Sequence, residues 1–163
     1  MYFEDQTAVS SGHAYAQDLL ADPLEEFLTW RSLQVCRPDD TVSAGCAKLG
    51  AERHAILLIV AHEVVVGVVS QGDIVRSLAR GCDPSEIRLA QVMSRNPHCV
   101  SVSASVGDAL SIMVDESVNS LPVISDGRVQ GVLSYRDIPA QYHWAYDMLD
   151  HGTLPLPAHA IAN

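Results

Sequence analysis

Lysine is almost missing from this sequence: of ten basic residues nine are arginine, and Lys48 is the one exception. The basic residues form no cluster, and twenty acidic residues bring the net charge to −10 with His neutral. Binding a nucleic acid through its phosphates needs several cations on one face, so DNA and RNA are disfavoured as partners. A membrane-surface role is equally poorly supported by such an acidic chain. No apolar run approaches 18 residues, and Glu4, Asp5 and Asp18 stand in a start without cations. Neither a membrane span nor a secretion signal is therefore expected. Cys36, Cys46, Cys82 and Cys99 show no Cys-x-x-Cys spacing, so the expectation is a cytoplasmic chain with reduced thiols.

Catalytic signatures are missing as well. There is no Gly-rich phosphate loop with Lys, no Gly-x-Ser-x-Gly elbow and no His-Glu-x-x-His pair. His98-Cys99 enters a strand and offers no evident base geometry. The expectation is a protein that is not an enzyme.

What is present is a folded globule: 48% hydrophobic and 18% charged over 163 residues, enough for one domain or two packed halves. Its central feature is a repeat. Gly67-Val68-Val69-Ser70-Gln71-Gly72-Asp73-Ile74 returns further along as Gly131-Val132-Leu133-Ser134-Tyr135-Arg136-Asp137-Ile138, every position displaced by the same interval. Without gaps, 42–74 matches 106–138 identically at nine of 33 positions, Val42/Val106, Glu52/Glu116, Leu57/Leu121 and Val65/Val129 among them. A fixed offset of this kind marks an internal duplication.

Hydrophobic periodicity and capping signals divide the chain further. Residues 1–13 read as poorly ordered, with a short helix over 14–20. Asp22-Pro23-Leu24-Glu25 reads as a helix start, with Leu24, Phe27 and Leu28 on one side and an end near Arg31. Val35-Cys36 reads as a strand, Thr41 as the cap of a helix to Leu49, and 55–60 with 64–69 as a hairpin. Ser70 caps a helix that Gly81 ends. Asp83-Pro84-Ser85-Glu86 repeats the start signal, opening a helix with Ile87, Leu89, Val92 and Met93. Strand 99–102, a helix capped by Ser105 with Asp108, and a hairpin turning at Asp126-Gly127 follow. Ser134 starts a last helix, which Pro139 should kink or restart because it removes a backbone donor. The aromatic stretch 141–149 reads as a packing or dimer surface. His143, Asp147 and His151 recur at a spacing of four and form a weak metal candidate. The expected organisation is an N-terminal segment 1–21, repeats 22–82 and 83–142, and a C-terminal helix end and tail 143–163.

The duplicated Gly-Val-x-Ser-x-x-Asp-Ile motif, with Leu121-Pro122-Val123-Ile124 and Arg37-Pro38-Asp39-Asp40-Thr41-Val42, resembles a pair of CBS domains, the cystathionine-β-synthase-type modules that bind adenosyl ligands. The resemblance covers 33–79 and 97–141, most of the chain. It implies an α/β (α+β) fold of two strand-helix-strand-strand-helix repeats packed as a pseudo-two-fold pair. It also implies a regulatory module holding AMP, ADP, ATP or S-adenosylmethionine between the repeats, with no obligatory cofactor. Homodimerisation and an unidentified regulated protein are implied partners. Carried over by position, the site residues are Ser134, Asp137, Arg136, Tyr135, Pro122, Ser120, Cys99 and Ser101 in the second half. Ser70, Asp73, Val35 and Ile56 are their counterparts in the first.

Physical chemistry gives these positions a rationale. A serine at a strand-to-helix step gathers backbone N–H groups where an anion gains about 0.3–1 kcal/mol from the helix dipole. A carboxylate one turn further in can accept both hydroxyls of a ribose. The plainer reading of Ser-x-x-Asp is a capping box with no ligand, which also suits Ser105-x-x-Asp108. Gly72 stands opposite Arg136, Leu58 opposite Pro122 and Val102 opposite Pro38. The halves are therefore unequal, and the second is the better candidate. The alternatives are a ligand-free dimerising scaffold and a metal- or redox-linked site.

Overall fold

The computed structural model describes residues 6–28, 33–51 and 56–151. The Arg31 helix end, the Glu52 pairing, the His151 side chain and the 153–163 tail lie outside what is described. In chain order, α1 (Gln6–Leu20) leads into a 3-10 turn over Leu24–Phe27. It is followed by β1 (Val35–Cys36), α2 (Val42–Ala51), β2 (Ile56–Ala61), β3 (Val64–Ser70) and α3 (Gln71–Ala79). Then come α4 (Leu89–Val92), β4 (Ser94–Arg95), β5 (Val100–Ser101), α5 (Val106–Asp115), β6 (Ser120–Ser125) and β7 (Arg128–Ser134). A 3-10 turn over Tyr135–Asp137 and α6 (Ala140–His151) close the described chain.

The duplication is visible residue by residue. β1 lies parallel to β2, and β2 antiparallel to β3; β5, β6 and β7 repeat this arrangement. Each hairpin carries a register shift at the same place, Ile59/Val60 and Val123/Ile124. Both turns are two residues at positive φ, His62-Glu63 and Asp126-Gly127, a geometry whose twist matches paired strands. Leu57, Ile59 and Val69 feed one core, while Leu121, Val123 and Leu133 feed the other. Ile56, Leu58, Ser120 and Pro122 point to the opposite faces by strand alternation. They are nonetheless buried, as pseudo-two-fold packing of the repeats through those faces requires.

The symmetry breaks at β4, an edge strand the sequence pattern does not announce, because two residues carry no alternation. It pairs Gly67 with Arg95. A Cβ on Gly67 would stand 2.7 Å from Met93 Sδ and 2.8 Å from the Ser94 carbonyl, whereas one on Gly131 would meet nothing within 4 Å. The same motif glycine is thus a steric necessity in one copy and free in the other.

Both expected Asp-Pro helix starts are corrected by the structure. At the first, Pro23 bridges Ser105, Leu24 N donates to the Ala104 carbonyl (3.0 Å) and Val106 N to the Asp22 carbonyl (3.0 Å). At the second, Thr41 bridges Arg88, Leu89 N donates to the Asp40 carbonyl (2.9 Å) and Val42 N to the Ile87 carbonyl (3.0 Å). Backbone groups that would have opened an α-helix instead pair across to the loop before α5 or α2. The capping carboxylates are taken as well: Asp22 by the Tyr142 hydroxyl (2.7 Å), Asp83 by Ser85 N (2.8 Å) and Oγ (2.6 Å). Only a short turn of Leu24–Phe27 and of Leu89–Val92 survives at each place. Leu24 and Leu89 are 0% exposed, Leu24 in the core of the second half and Leu89 in that of the first.

The N-terminal expectation is corrected too: α1 begins at Gln6, inside the stretch expected to be disordered, and Ala16 and Leu20 join the second core. Its packing partner is α6, whose Tyr142, Ala145 and Met148 are buried in the same cluster. The aromatic segment therefore packs within the chain. Pro139 acts as expected: the backbone is extended at Ile138 and a new helix starts at Ala140, so Ser134 opens only a single 3-10 turn.

Replacing either anchor, Leu24→Ala or Leu89→Ala, should lower the unfolding free energy by about 2–5 kcal/mol, the usual cost of a buried Leu cavity. Urea unfolding measures it, and a loss near zero would show that the anchors are not core residues. Burial first, and then the bond to Asp22, push the Tyr142 hydroxyl up to about 12. Because the folded value lies above the ordinary value near 10, its contribution to stability is intact below about pH 10 and is lost as pH rises toward 12. Tyr142→Phe should flatten that alkaline fall, read as melting temperature against pH.

Candidate functional site

Each motif serine closes a hairpin at the same rung: Ser70 pairs with Ile56, and Ser134 with Ser120. Strand β1 or β5 runs alongside, with Val35 level with Leu58 and Val100 level with Val123. The register brings Ser120, Ser134, Tyr135, Arg136 and Asp137 to one end of the second sheet. Ile56, Ser70 and Asp73 come together at the corresponding end of the first. Pro122 lies two rungs in and is buried, and Cys99, partly buried, precedes the rung of Val100. Ser101 does not join them. It is level with Ile124, four residues and so roughly 13 Å along β6 from Ser120. Its hydroxyl is engaged with Ser103 Oγ at 2.9 Å.

The first turn is a complete capping box. Asp73 N donates to Ser70 Oγ (3.2 Å), and Asp73 Oδ2 accepts from Ser70 N (2.8 Å) and Ser70 Oγ (2.6 Å). Asp73 Oδ1 is held by Arg76 three residues on. Ser105 and Asp108 form the same box ahead of α5. Here the plain capping reading describes what the residues do.

The second turn keeps the outline of the box but is looser. Ser134 N donates to Asp137 Oδ2 at 3.3 Å; the Ser134 hydroxyl still faces Asp137 N in the outline of the box but closes no cap hydrogen bond, donating instead to the Asn119 carbonyl at 3.5 Å. That carbonyl also accepts from Ser120 Oγ (2.7 Å) and Tyr135 N (2.9 Å), which ties the two serines together. The residue matching Arg76 is Ala140, so no arginine from the next turn holds Asp137. Arg136 is exposed, and its side chain has no partner among the described residues.

Two contributors carry no signal in the sequence. His143 on α6 lays its ring against Tyr135, centroids 3.9 Å apart, and its Nε2 lies 3.0 Å from the Ile138 carbonyl. It braces the short turn that carries Arg136 and Asp137. A histidine well beyond Ser134 and past a proline has no local link to the motif. In the first half, Lys48 Nζ donates to the Val35 carbonyl at 2.5 Å, across β1; Ile112 occupies its place in the second. Burial pushes the Cys36 thiol up, with Lys48 pulling the other way, and burial alone pushes Cys99 up. Burial thus favours the neutral thiol at both positions, Cys36 within the first core and Cys99 just before β5. The four cysteines are free. Among the described residues no His, Cys, Asp and Glu side chains gather in a group that could hold a metal ion.

The family model for the CBS domain matches 24–80 and 89–139, about two thirds of the chain. The chain belongs to the CBS domain family. Each matched stretch begins on an anchor leucine, Leu24 and Leu89. Among curated CBS proteins, the chain is 34% identical over 95 residues to CBS domain-containing protein CBSCBSPB2 of Arabidopsis thaliana, spanning 57% of this chain and 18% of that one. It spans well under two thirds of the first curated relatives it matches. Among solved structures, the CBS domain protein PAE2072 from Pyrobaculum aerophilum, complexed with AMP, superposes with a TM-score of 0.70 at 22% identity. That match covers 78% of this chain and 99% of the other. The CBS domain pair of MJ0100, in complex with 5-methylthioadenosine and S-adenosyl-L-methionine, gives 0.65 at 20% identity over 72% and 92% of the two chains. These likenesses establish the CBS-pair fold.

The two CBS turns should respond differently to removal of the serine hydroxyl. Ser70→Ala should cost about 1 kcal/mol, the usual value for a lost N-cap. Ser134→Ala should cost only a few tenths, since no cap bond is lost. Chemical unfolding of the two variants compares them, and equal losses would contradict the asymmetry.

Proposed function

We propose that the protein is a regulatory module that binds an adenosyl nucleotide in the cleft between its CBS repeats, chiefly at the second motif. One observation carries the reading. At the second turn the Ser134 hydroxyl closes no cap hydrogen bond, and Arg136, its side chain without a partner among the described residues, stands beside Asp137 on the same short 3-10 turn. A helix-start serine and an arginine suit a phosphate, and a carboxylate suits a ribose diol. Support comes from the AMP, methylthioadenosine and S-adenosylmethionine bound by the structural relatives. At the first turn Ser70 already serves as the cap of α3, so a ligand would have to displace it, and that cleft is read as the weaker. Ser134, Asp137, Arg136, Tyr135, Ser120, Pro122 and Cys99 line the stronger site, with Ser70, Asp73, Val35 and Ile56 at the weaker.

In this reading the protein senses and does not catalyse. Occupancy of the cleft changes how the module associates, with itself as a homodimer or with a regulated partner, through the differential affinity of the ligand for the two states. Assembly of a related protein, the hexameric CBS-CP12 of cyanobacteria, is in keeping with signalling through association. No helix among the described residues is long and apolar enough to cross a membrane, and the module is read as acting in the cytoplasm.

A thermal-shift and calorimetric screen of AMP, ADP, ATP and S-adenosylmethionine tests the proposal. A ligand present at 100 times its Kd should stabilise the fold by about 2.7 kcal/mol. Asp137→Ala should abolish the stronger isotherm, and Asp73→Ala should leave it nearly intact. If no adenosyl compound moves the melting temperature, the ligand-free scaffold becomes the better reading.

A further inference from the structure

A second feature lies along α3, away from the Ser134 turn. Asp73, Arg76, Ser77 and Arg80 are spaced by three, one and three residues and share one helical face. With Cys82 and Gln91, they wall a cavity of about 300 Å³ between α3 and α4. Ser77 is 5% exposed, and its Oγ is buried without a hydrogen-bond partner. Buried hydroxyls are almost always satisfied, so an orphan that lines a cavity points to a missing partner. The Arg80 side chain has no partner among the described residues either. The carboxylate on the wall, Asp73, is already neutralised, with Oδ2 held by Ser70 and Oδ1 by Arg76. The lining therefore carries one cation in excess, together with a hydroxyl and a side-chain amide that can both donate.

We infer that this cavity is an oxyanion site that takes a tetrahedral phosphoryl group. Arg80 supplies charge and a planar fork of donors, Ser77 a buried hydroxyl, and Arg76 donors left over from its bond to Asp73. Cations of this protein are scarce, and here Arg76 on α3 and Arg80 at its C-cap share a face with a hydroxyl that has no partner. The phosphoryl group has two sources, free inorganic phosphate or the far end of a nucleotide polyphosphate. Because Arg76 touches both Asp73 and the cavity, an anion that draws Arg76 loosens the hold on Asp73. The site would then be coupled to the first cleft, with reciprocal effects on the two affinities. That coupling rests on the nucleotide reading; the site itself does not.

The test is a titration of the full chain with inorganic phosphate at constant ionic strength, followed by amide chemical shifts and calorimetry. Saturable shifts centred on 76–80 and 91 are expected. Arg80→Gln should weaken binding at least tenfold, Ser77→Ala several-fold, and sulfate should compete where chloride does not. Arg80 is exposed, so Arg80→Gln should fold normally, which an unchanged melting temperature in phosphate-free buffer verifies. Unaltered phosphate affinity in Arg80→Gln, or unsaturable shifts scattered over the surface, overturns the proposal. ATP that displaces phosphate where AMP does not identifies the polyphosphate end as the source; independent binding of the two identifies free phosphate. Phosphate binding that persists while every adenosyl compound fails would sink the nucleotide reading and leave this site standing.

Discussion

The exchange of the segments that precede β1 and β5 is the constraint on which the molecule depends. Leu24 and Leu89 each enter the core of the other half, and each is pinned by the same pair of backbone hydrogen bonds to the loop that opens a helix there. Two half-sized cores, each too small to be comfortable alone, are thereby joined by burial and hydrogen bonds as well as by the chain. Because each half contributes a buried leucine to its neighbour, neither can unfold and leave the other whole. The sheets that end at Ser70 and Ser134 belong to the two cores that this lock joins.

Within that frame the two copies have diverged through a few side chains. Arg76 against Ala140 decides whether the motif carboxylate is held by a following arginine. Val75 against Pro139 decides whether the turn continues as a helix or stops after a single 3-10 turn. The first copy uses its Ser-x-x-Asp as a helix cap; in the second the serine hydroxyl turns to the Asn119 carbonyl and the neighbouring arginine has no partner among the described residues. α6, freed from the motif by Pro139, turns its aromatics into the second core and packs on α1. One duplicated string thus yields a structural cap in one place and a candidate ligand site in the other. The same cap also places Arg76 and Arg80 on a common wall, where the scarce cations of an acidic chain converge.

Much of this is legible in the sequence. The hairpins, both turns, the Ser70 and Ser105 caps, the Gly81 stop and the break at Pro139 follow from local chemistry, because each is decided within a short stretch. The Asp-Pro starts mislead for the opposite reason. Asp22 and Asp83 have good capping chemistry, yet partners remote in the chain, Ala104 for one and Asp40 for the other, claim the backbone groups next to them. The helix over Gln6–Leu20 is hidden because its polar sequence forms a helix only where α6 and α5 offer an apolar seat. β4, Lys48 and His143 are invisible in the same sense. Nothing in a two-residue strand, a lone lysine or a histidine past a proline says what it will face.

The chain order of residues therefore settled the duplication and the fold family and singled out candidate positions for phosphate and ribose, because spacing and capping are properties of a short stretch of chain. Tertiary structure decided which serine closes a cap, and where two arginines meet an orphaned hydroxyl. Those outcomes depend on groups brought together from distant parts of the sequence, and competition for a hydrogen-bond donor is resolved only where the competitors meet.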